Sequence, residues 1–214
     1  MNPQLSIERY VLGAFETNAY LLTNSASGES IVIDPGMQPD ALVKAIADKK
    51  VVAILLTHAH LDHIGGLNEV RALTQAPVYI HPLEQEWLTN PELNGSTRWN
   101  VSEPIVCEPA DHLLADGQTL ELAGLSIRVL HTPGHSPGSC SFVIGKQCFG
   151  GDVLFQQSIG RTDLPGGDFE TLMNSIHDKL FELDDETIVY PGHGPATTIE
   201  AEKMYNPFVN GLMR

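Results

Sequence analysis

Seven histidines and aspartates of this chain combine a metal-holding side chain with a suggestive setting, and four of them crowd into one stretch. That stretch is Thr57-His58-Ala59-His60-Leu61-Asp62-His63-Ile64-Gly65-Gly66. The others stand apart: His135 in Thr132-Pro133-Gly134-His135, Asp152 after Gly150-Gly151, and His193 in Pro191-Gly192-His193-Gly194. Spacing suggests how they could cooperate. On extended backbone, His58 and His60 project to the same side and can share an ion. Asp62 and His63 are neighbours, which on the first turn of a helix are only about 100° apart and can both face inward. Imidazole with carboxylate suits zinc, iron or manganese. One catalytic zinc with an open position takes about three protein ligands. Five histidines and two aspartates exceed that and suit two divalent ions. The alternative is a cluster of solvated loop histidines.

The elements around these residues say why they would meet. Val51 to Leu56 is short, unbroken and β-branched at its start, the pattern of a buried strand. Ile64, Leu67, Val70 and Leu73 then recur at helical spacing. The four clustered ligands thus lie where a strand gives way to a helix. His135 follows a strand over Leu125 to Leu130, Asp152 one over Gln147 to Phe149, and His193 one over Thr187 to Tyr190. Ligand sites in layered α/β proteins gather at strand ends. Asp34 closes a strand over Ser30 to Ile33, just before Pro35-Gly36. It reads either as a carboxylate that orients a metal-bound histidine or as a turn aspartate bonded to its own backbone.

Further strands are expected over Arg9 to Leu12, Ala19 to Thr23, Val78 to Ile80, Thr119 to Leu122 and Ser139 to Ile144. Helices are expected over Pro39 to Ala47, Leu83 to Leu88 and 199–205. Another would start at an Asp168 cap and run to about Leu183, with Phe169, Leu172, Met173, Ile176 and Leu180 on its buried face. This rhythm implies sheet covered by helices. Residues 89–104, rich in Asn, Pro, Gly and Ser, read as a long loop where substrate contacts are expected. His81, His112, His131 and His177 lack a comparable setting and read as surface or packing residues.

At 214 residues the chain suits one domain spanning 1–214, and 42% hydrophobic content allows a sizeable core. No apolar run approaches the roughly 20 residues of a membrane span. The first residues, Met1 to Arg9, lack a basic region followed by an apolar core, so a secretory signal is not expected. Cys107, Cys140 and Cys148 are odd in number and scattered, which fits a reducing cytoplasm. A net charge of −15, with only 12 Lys and Arg, opposes nucleic acid and leaves a small molecule as the expected partner. The oligomeric state has no signature in the sequence.

Thr-His-Ala-His-Leu-Asp-His at 57–63, Thr-Pro-Gly-His at 132–135, Gly-Asp at 151–152 and Pro-Gly-His-Gly at 191–194 together resemble the metallo-β-lactamase superfamily. The resemblance implies an α/β (α+β) fold, the four-layer αββα sandwich. It implies that His58, His60 and His135 hold one ion, that Asp62, His63 and His193 hold a second, and that Asp152 bridges them. Asn18-Ala19-Tyr20, Asp34-Pro35-Gly36 and Ser158-Ile159-Gly160-Arg161-Thr162-Asp163 are similar to glyoxalase II-like thioesterases, which split S-lactoylglutathione. Longer members carry a C-terminal helical domain that contacts glutathione. This chain ends at Arg214 and resembles the short bacterial forms, without that domain.

The expected function is thioester hydrolysis with two divalent ions, zinc and/or iron, with manganese a further option. Two metals roughly 3.5–4 Å apart can share a hydroxide, because coordination lowers the pKa of water to about 7. Asp62 and Asp152, beside that hydroxide, are the expected catalytic side chains. A departing thiol with a pKa of about 8.5 needs little protonation, which suits a thioester better than a lactam. The main alternative is a mononuclear-iron persulfide dioxygenase, a group that shares Gly160-Arg161-Thr162-Asp163, whereas Pro191-Gly192-His193-Gly194-Pro195 looks more like the hydrolases. Lactonase or β-lactamase activity ranks below these, and a non-enzymatic metal-binding protein below that. Arg161 reads as a contact for a substrate carboxylate or as the ion-pair partner of Asp163.

Overall fold

A computed structural model describes residues 5–99, 101 and 103–210. Two six-stranded sheets face each other. The first holds β1 (Leu5–Leu12), β2 (Thr17–Asn24), β3 (Glu29–Ile33), β4 (Lys50–Leu55), β5 (Val78–Ile80) and β6 (His112–Leu113), side by side in chain order. β1, β2 and β3 pair antiparallel, and from β3 onward the pairing is parallel. Helices α1 (Asp40–Ile46), α2 (Leu61–Ile64), α3 (Leu67–Thr74) and α4 (Gln85–Thr89) belong to this half.

The second sheet is built from β7 (Thr119–Leu122), β8 (Leu125–His131), β9 (Cys140–Ile144), β10 (Gln147–Gly151), β13 (Ile188–Pro191) and β14 (Thr197–Thr198). Its spatial order is β14-β13-β10-β9-β8-β7, and only β10 and β13 run parallel. A small hairpin of β11 (Leu154–Phe155) and β12 (Ser158–Ile159) follows Asp152. Helices α5 (Phe169–Ser175) and α6 (Ile199–Tyr205) complete this half.

Strand periodicity explains the layering. Successive side chains point to opposite faces, and both faces are covered here, so the strands read as continuous apolar runs. Tyr20, Leu22, Ile31, Ile33, Ala53 and Leu55 pack inward against Ile127, Val129, Phe142 and Phe149 of the second sheet. The alternating residues Leu21, Val32 and Ile54 pack outward with Leu42, Ile46, Leu67 and Val70 of the helices. On the other side, Val143, Cys148 and Val189 meet Leu172, Ile176, Leu180 and Ile199. This is the expected αββα sandwich.

Several local expectations change. The helix after the histidine cluster is two helices, α2 and α3, separated by Gly65 and Gly66. A Cβ on Gly66 would fall 2.7 Å from Pro39 Cγ, so the chain bends where the preceding turn presses closest. The helix capped by Asp168, which accepts from Thr171 N at 2.8 Å, widens into a π-turn over Ile176–Leu180 rather than staying regular to Leu183. Phe169 is 51% exposed and leaves the buried face assigned to it. β1 begins at Leu5, four residues before Arg9. The short strands β6, β11, β12 and β14 had no periodic pattern to announce them. Residues 100 and 102 of the expected 89–104 loop lie outside the described residues.

Candidate metal centre

All seven residues singled out by type and spacing converge at one edge of the sandwich. β4 delivers Leu56, Thr57 and His58, and the Thr57 carbonyl accepts from Cys140 N at 2.8 Å, joining the two sheets beside the cluster. His60 keeps extended backbone (φ −68°, ψ 149°) at the N-terminus of α2, while Asp62 and His63 occupy the first turn. The helical placement anticipated for Asp62 and His63 occurs, and His60 is extended as anticipated. His135 arrives from the β8–β9 connection, Asp152 just after β10, and His193 just after β13.

The ligand atoms form two neighbouring groups. His58, His60 and His135 offer nitrogens that lie within 4.8 Å of one another, as do Asp62, His63 and His193 with their own ligand atoms. Asp152 reaches both groups. Its Oδ2 lies 3.6 Å from His135 Nε2 and 3.4 Å from His193 Nε2, and its Oδ1 lies 3.3 Å from His63 Nε2. The carboxylate therefore stands between the two groups.

Each histidine orientation has a local cause. His63 Nδ1 donates to Asp34 Oδ2 at 2.9 Å, and His135 Nδ1 donates to the Arg161 carbonyl at 2.8 Å. Thr57 Oγ1 donates to Asp34 Oδ2 at 2.6 Å, which leaves that hydroxyl as an acceptor for His58 Nδ1 at 3.0 Å. In all three rings the bond at Nδ1 leaves Nε2 facing inward, the arrangement that orients imidazole for a metal. Asp34 also accepts from Thr57 N at 2.8 Å. Its bonds run across to Thr57 and His63, and the turn-aspartate reading is set aside. Asp34, His58 and His63 could form a third group by distance alone. The Asp34 oxygens are already engaged by Thr57 and His63.

The ligand residues are mostly buried. His58 and His63 are fully buried, and Asp152 is 8% exposed. His58 Nε2, His63 Nε2 and Asp152 Oδ1 have no hydrogen-bond partner. A buried polar atom left unsatisfied costs about 1–3 kcal/mol. Three such atoms facing one another are accounted for by cations between them. Nitrogen and carboxylate donors of this kind fit zinc or iron.

Electrostatics divide the groups. Burial, reinforced by neighbouring imidazoles, holds His58 well below the ordinary histidine range and His60 down at about 3. These rings are neutral and ready to donate lone pairs. In the second group burial opposes charge on His63 and His193, but the carboxylates outweigh it. Asp62, Asp152 and Asp34 raise His63 well above its usual value, while Asp152 and Asp62 push His193 up to about 10. Burial works against the Asp62 carboxylate as well, yet His63 and His193 bring it down to about 2.

Thr17, which carried no sequence signal, and Asn18 and Tyr20, whose role the motif Asn18-Ala19-Tyr20 did not reveal, complete the centre. Thr17 Oγ1 donates to Asp62 Oδ2 at 2.7 Å. Asn18 Nδ2 and Tyr20 OH both donate to the Pro191 carbonyl, at 2.9 and 2.7 Å, and so hold the turn carrying His193. Their partners are more than 40 residues away in sequence, beyond the reach of any local pattern. Gly192 is required here because a Cβ would fall on Asp152 Oδ1 and 2.7 Å from His63 Cε1. Of the four remaining histidines, His81 stacks on His131 at 4.0 Å, His112 on Tyr79, and His177 meets Phe181 edge-on, all outside the ligand groups.

A cavity of about 510 Å³ opens over the centre, with His60, Asp62, His135, Asp152 and His193 at its base. Phe15, Leu61, Leu93, Trp99, Phe155 and Ile159 give it mainly apolar walls, and Arg98 and Arg161 also line it. The 89–104 segment therefore contributes to the cavity, as expected of a substrate loop. Arg161 pairs with Asp163 at 2.7 Å, and its guanidinium carbon stands 5.6 Å from the Trp99 ring centroid. The ion-pair reading holds, and the same side chain borders the cavity.

The family profile described as Metallo-beta-lactamase superfamily matches residues 12–193, most of the chain. This chain belongs to the metallo-beta-lactamase superfamily. Superfamily relatives align end to end. A probable metallo-hydrolase of Bacillus subtilis (strain 168) is 44% identical over 95% of this chain and 97% of its own. A hydroxyacylglutathione hydrolase of Haemophilus influenzae is 36% identical over 96% and 99%. Among solved structures, a B3 metallo-beta-lactamase superposes with a TM-score of 0.92 at 48% identity, covering 96% of this chain and 100% of that one. A protein crystallised in a di-iron-bound form superposes at 0.84 with 38% identity, covering 94% and 99%.

Proposed function

We propose that this chain is a two-metal hydrolase of thioesters of the S-lactoylglutathione type. His58, His60 and His135 hold one ion, Asp62, His63 and His193 the other, and Asp152 lies between them. The observation that carries this reading is the inward-facing set of unpartnered atoms, His58 Nε2, His63 Nε2 and Asp152 Oδ1, shared between two ligand groups at the base of a cavity. The di-iron-bound relative supports the two-ion count, and the Haemophilus influenzae hydrolase supports the substrate class.

Bound divalent ions supply an acidified water at neutral pH and positive charge for a developing oxyanion. The chain supplies the positioning. Asp34, Thr57 and the Arg161 carbonyl fix three imidazoles, and Thr17 fixes the Asp62 carboxylate. The apolar walls exclude bulk water around a substrate carbonyl, which strengthens every charge interaction at the base. Among the described residues lining the cavity, the ionisable groups besides the ligand set are Glu92, Arg98 and Arg161. Glu92 is exposed, so no buried acid stands ready to protonate a departing amine. A thiolate leaves without one.

Metal analysis of purified protein beside an S-lactoylglutathione hydrolysis assay tests the reading. Two ions per chain with turnover is the expected result, and two ions without turnover refutes the substrate. One iron per chain, with oxygen uptake on glutathione persulfide, would replace it with a dioxygenase. A second reading, β-lactam hydrolysis, is favoured by the 48% identical B3 enzyme. A cephalosporin hydrolysed faster than the thioester would establish it.

A further inference from the structure

Glu84 is the carboxylate that the centre leaves unexplained. It lies on the 3₁₀ turn Pro82–Glu84 that follows β5, and it is fully buried. Ionised carboxylate is costly to bury unless every lone pair finds a donor. Glu84 finds three. Oε2 accepts from Ala59 N at 2.5 Å, and Oε1 accepts from Ser136 Oγ at 2.5 Å and from Gly138 N at 2.8 Å. Ser136 Oγ is in turn 2.7 Å from Ser139 Oγ. Gly138 presses so closely that a Cβ there would fall 2.9 Å from Glu84 Cγ.

The placement of these donors is informative. Ala59 sits between His58 and His60, and Ser136 follows His135. One side chain thus grips the two backbone segments that carry all three members of the first ligand group, one segment from each sheet. Glu84 bonds to no member of the second group, each of which has its own support: Asp62 is held by Thr17, His63 by Asp34, and the turn of His193 by Asn18 and Tyr20. A second buried carboxylate, Glu202, also collects three donors, from Thr197, Gln157 and Asn206. Those donors carry no ligand.

We propose that Glu84 is a positioning residue for the first ion alone, fixing the separation of the His58–His60 segment from His135 by bonding to both. The inference rests on the two-metal reading above. Glutamine keeps the shape but has one oxygen. With that oxygen toward Ser136 and Gly138, its NH₂ group faces the Ala59 N–H, donor against donor. The His58–His60 segment is then displaced while the second ligand group keeps its supports.

The test is zinc titration of metal-free wild type, Glu84→Gln and Glu202→Gln, read by competition with a chromophoric chelator. Outer groups that orient metal ligands typically govern about 10–100-fold in affinity. Glu84→Gln is expected to weaken one of two zinc sites by about that factor and leave the other within about threefold. Glu202→Gln is expected to lower the urea midpoint and spare both sites. Equal weakening of both sites, or wild-type binding at both, in Glu84→Gln overturns the assignment. If that variant is insoluble, Ser136→Ala removes a single donor and must weaken the same one site; unchanged binding there also overturns it. Wild type that binds fewer than two zinc ions refutes the two-metal reading itself.

Discussion

Asp152 and Asp34 have the same side chain and different duties, and what touches them makes the difference. Asp152 keeps an oxygen without any hydrogen-bond partner beside His63, whereas Asp34 has its oxygens engaged by Thr57 and His63. Asp152→Ala is therefore expected to abolish hydrolysis and to reduce metal content, measured by turnover and by elemental analysis. His60→Ala should behave likewise, and wild-type turnover in either variant refutes the ligand set. Asp34→Ala removes the bond that orients His63 and those that hold Thr57 against His58, so its expected effect is a loss of about 10–100-fold in metal affinity with turnover recovering at high metal concentration. A variant that stays inactive when saturated with metal would give Asp34 a more direct part.

At the scale of elements, each ligand sits just past a strand, where the backbone leaves the ladder and can turn toward the neighbouring sheet. The connections are held by long-range bonds, and some carry titratable groups. His81 ends β5 and stacks on His131 at the end of β8. Burial and the facing imidazole lower its pKa to about 4. A histidine depressed in the folded state stabilises the fold above its ordinary value of about 6.5 and loses that contribution as pH falls. Between pH 7 and pH 5 protonation of this one group is expected to lower stability, by less than the full shift implies because solvent screens the ring. Urea midpoints of metal-free protein at the two pH values, compared with His81→Asn, check it; parallel declines would remove His81 as the cause. At the other end of the chain, Thr198 caps α6 by accepting from Ala201 N at 3.2 Å. Thr198→Ala is expected to cost about 1 kcal/mol in stability and to leave metal content unchanged.

For the whole molecule, the centre lies where two sheets meet, and its ligands come from both. Ions held there would join the halves, so removing them is expected to loosen the fold as well as stop catalysis. A ligand present at 100 times its dissociation constant stabilises by about 2.7 kcal/mol. Chelation is thus expected to lower the thermal midpoint and abolish turnover, with both restored by zinc or iron. A midpoint indifferent to chelator would mean that the sheets do not depend on the ions. No helix among the described residues is long and apolar enough to cross a membrane, which agrees with the hydropathy of the sequence.

Much of this was legible in the chain itself. His58 and His60 two apart, Asp62 and His63 adjacent, and four ligand-bearing strand ends follow from periodicities of two and 3.6, which are local properties of the backbone. Regular strands and long helices were readable for the same reason, and the two-residue strands β6 and β14 were not, because so short a run has no period. The division of Asp34 from Asp152, the grip of Thr17 on Asp62, and the link from Glu84 to both Ala59 and Ser136 were decided only by tertiary structure. These depend on which residues 45, 25 and 52 positions apart come within hydrogen-bonding distance, and no local pattern encodes that. The sequence by itself determined which side chains could hold metal; packing of one sheet on the other determined which atoms face the ions and which hold those atoms in place.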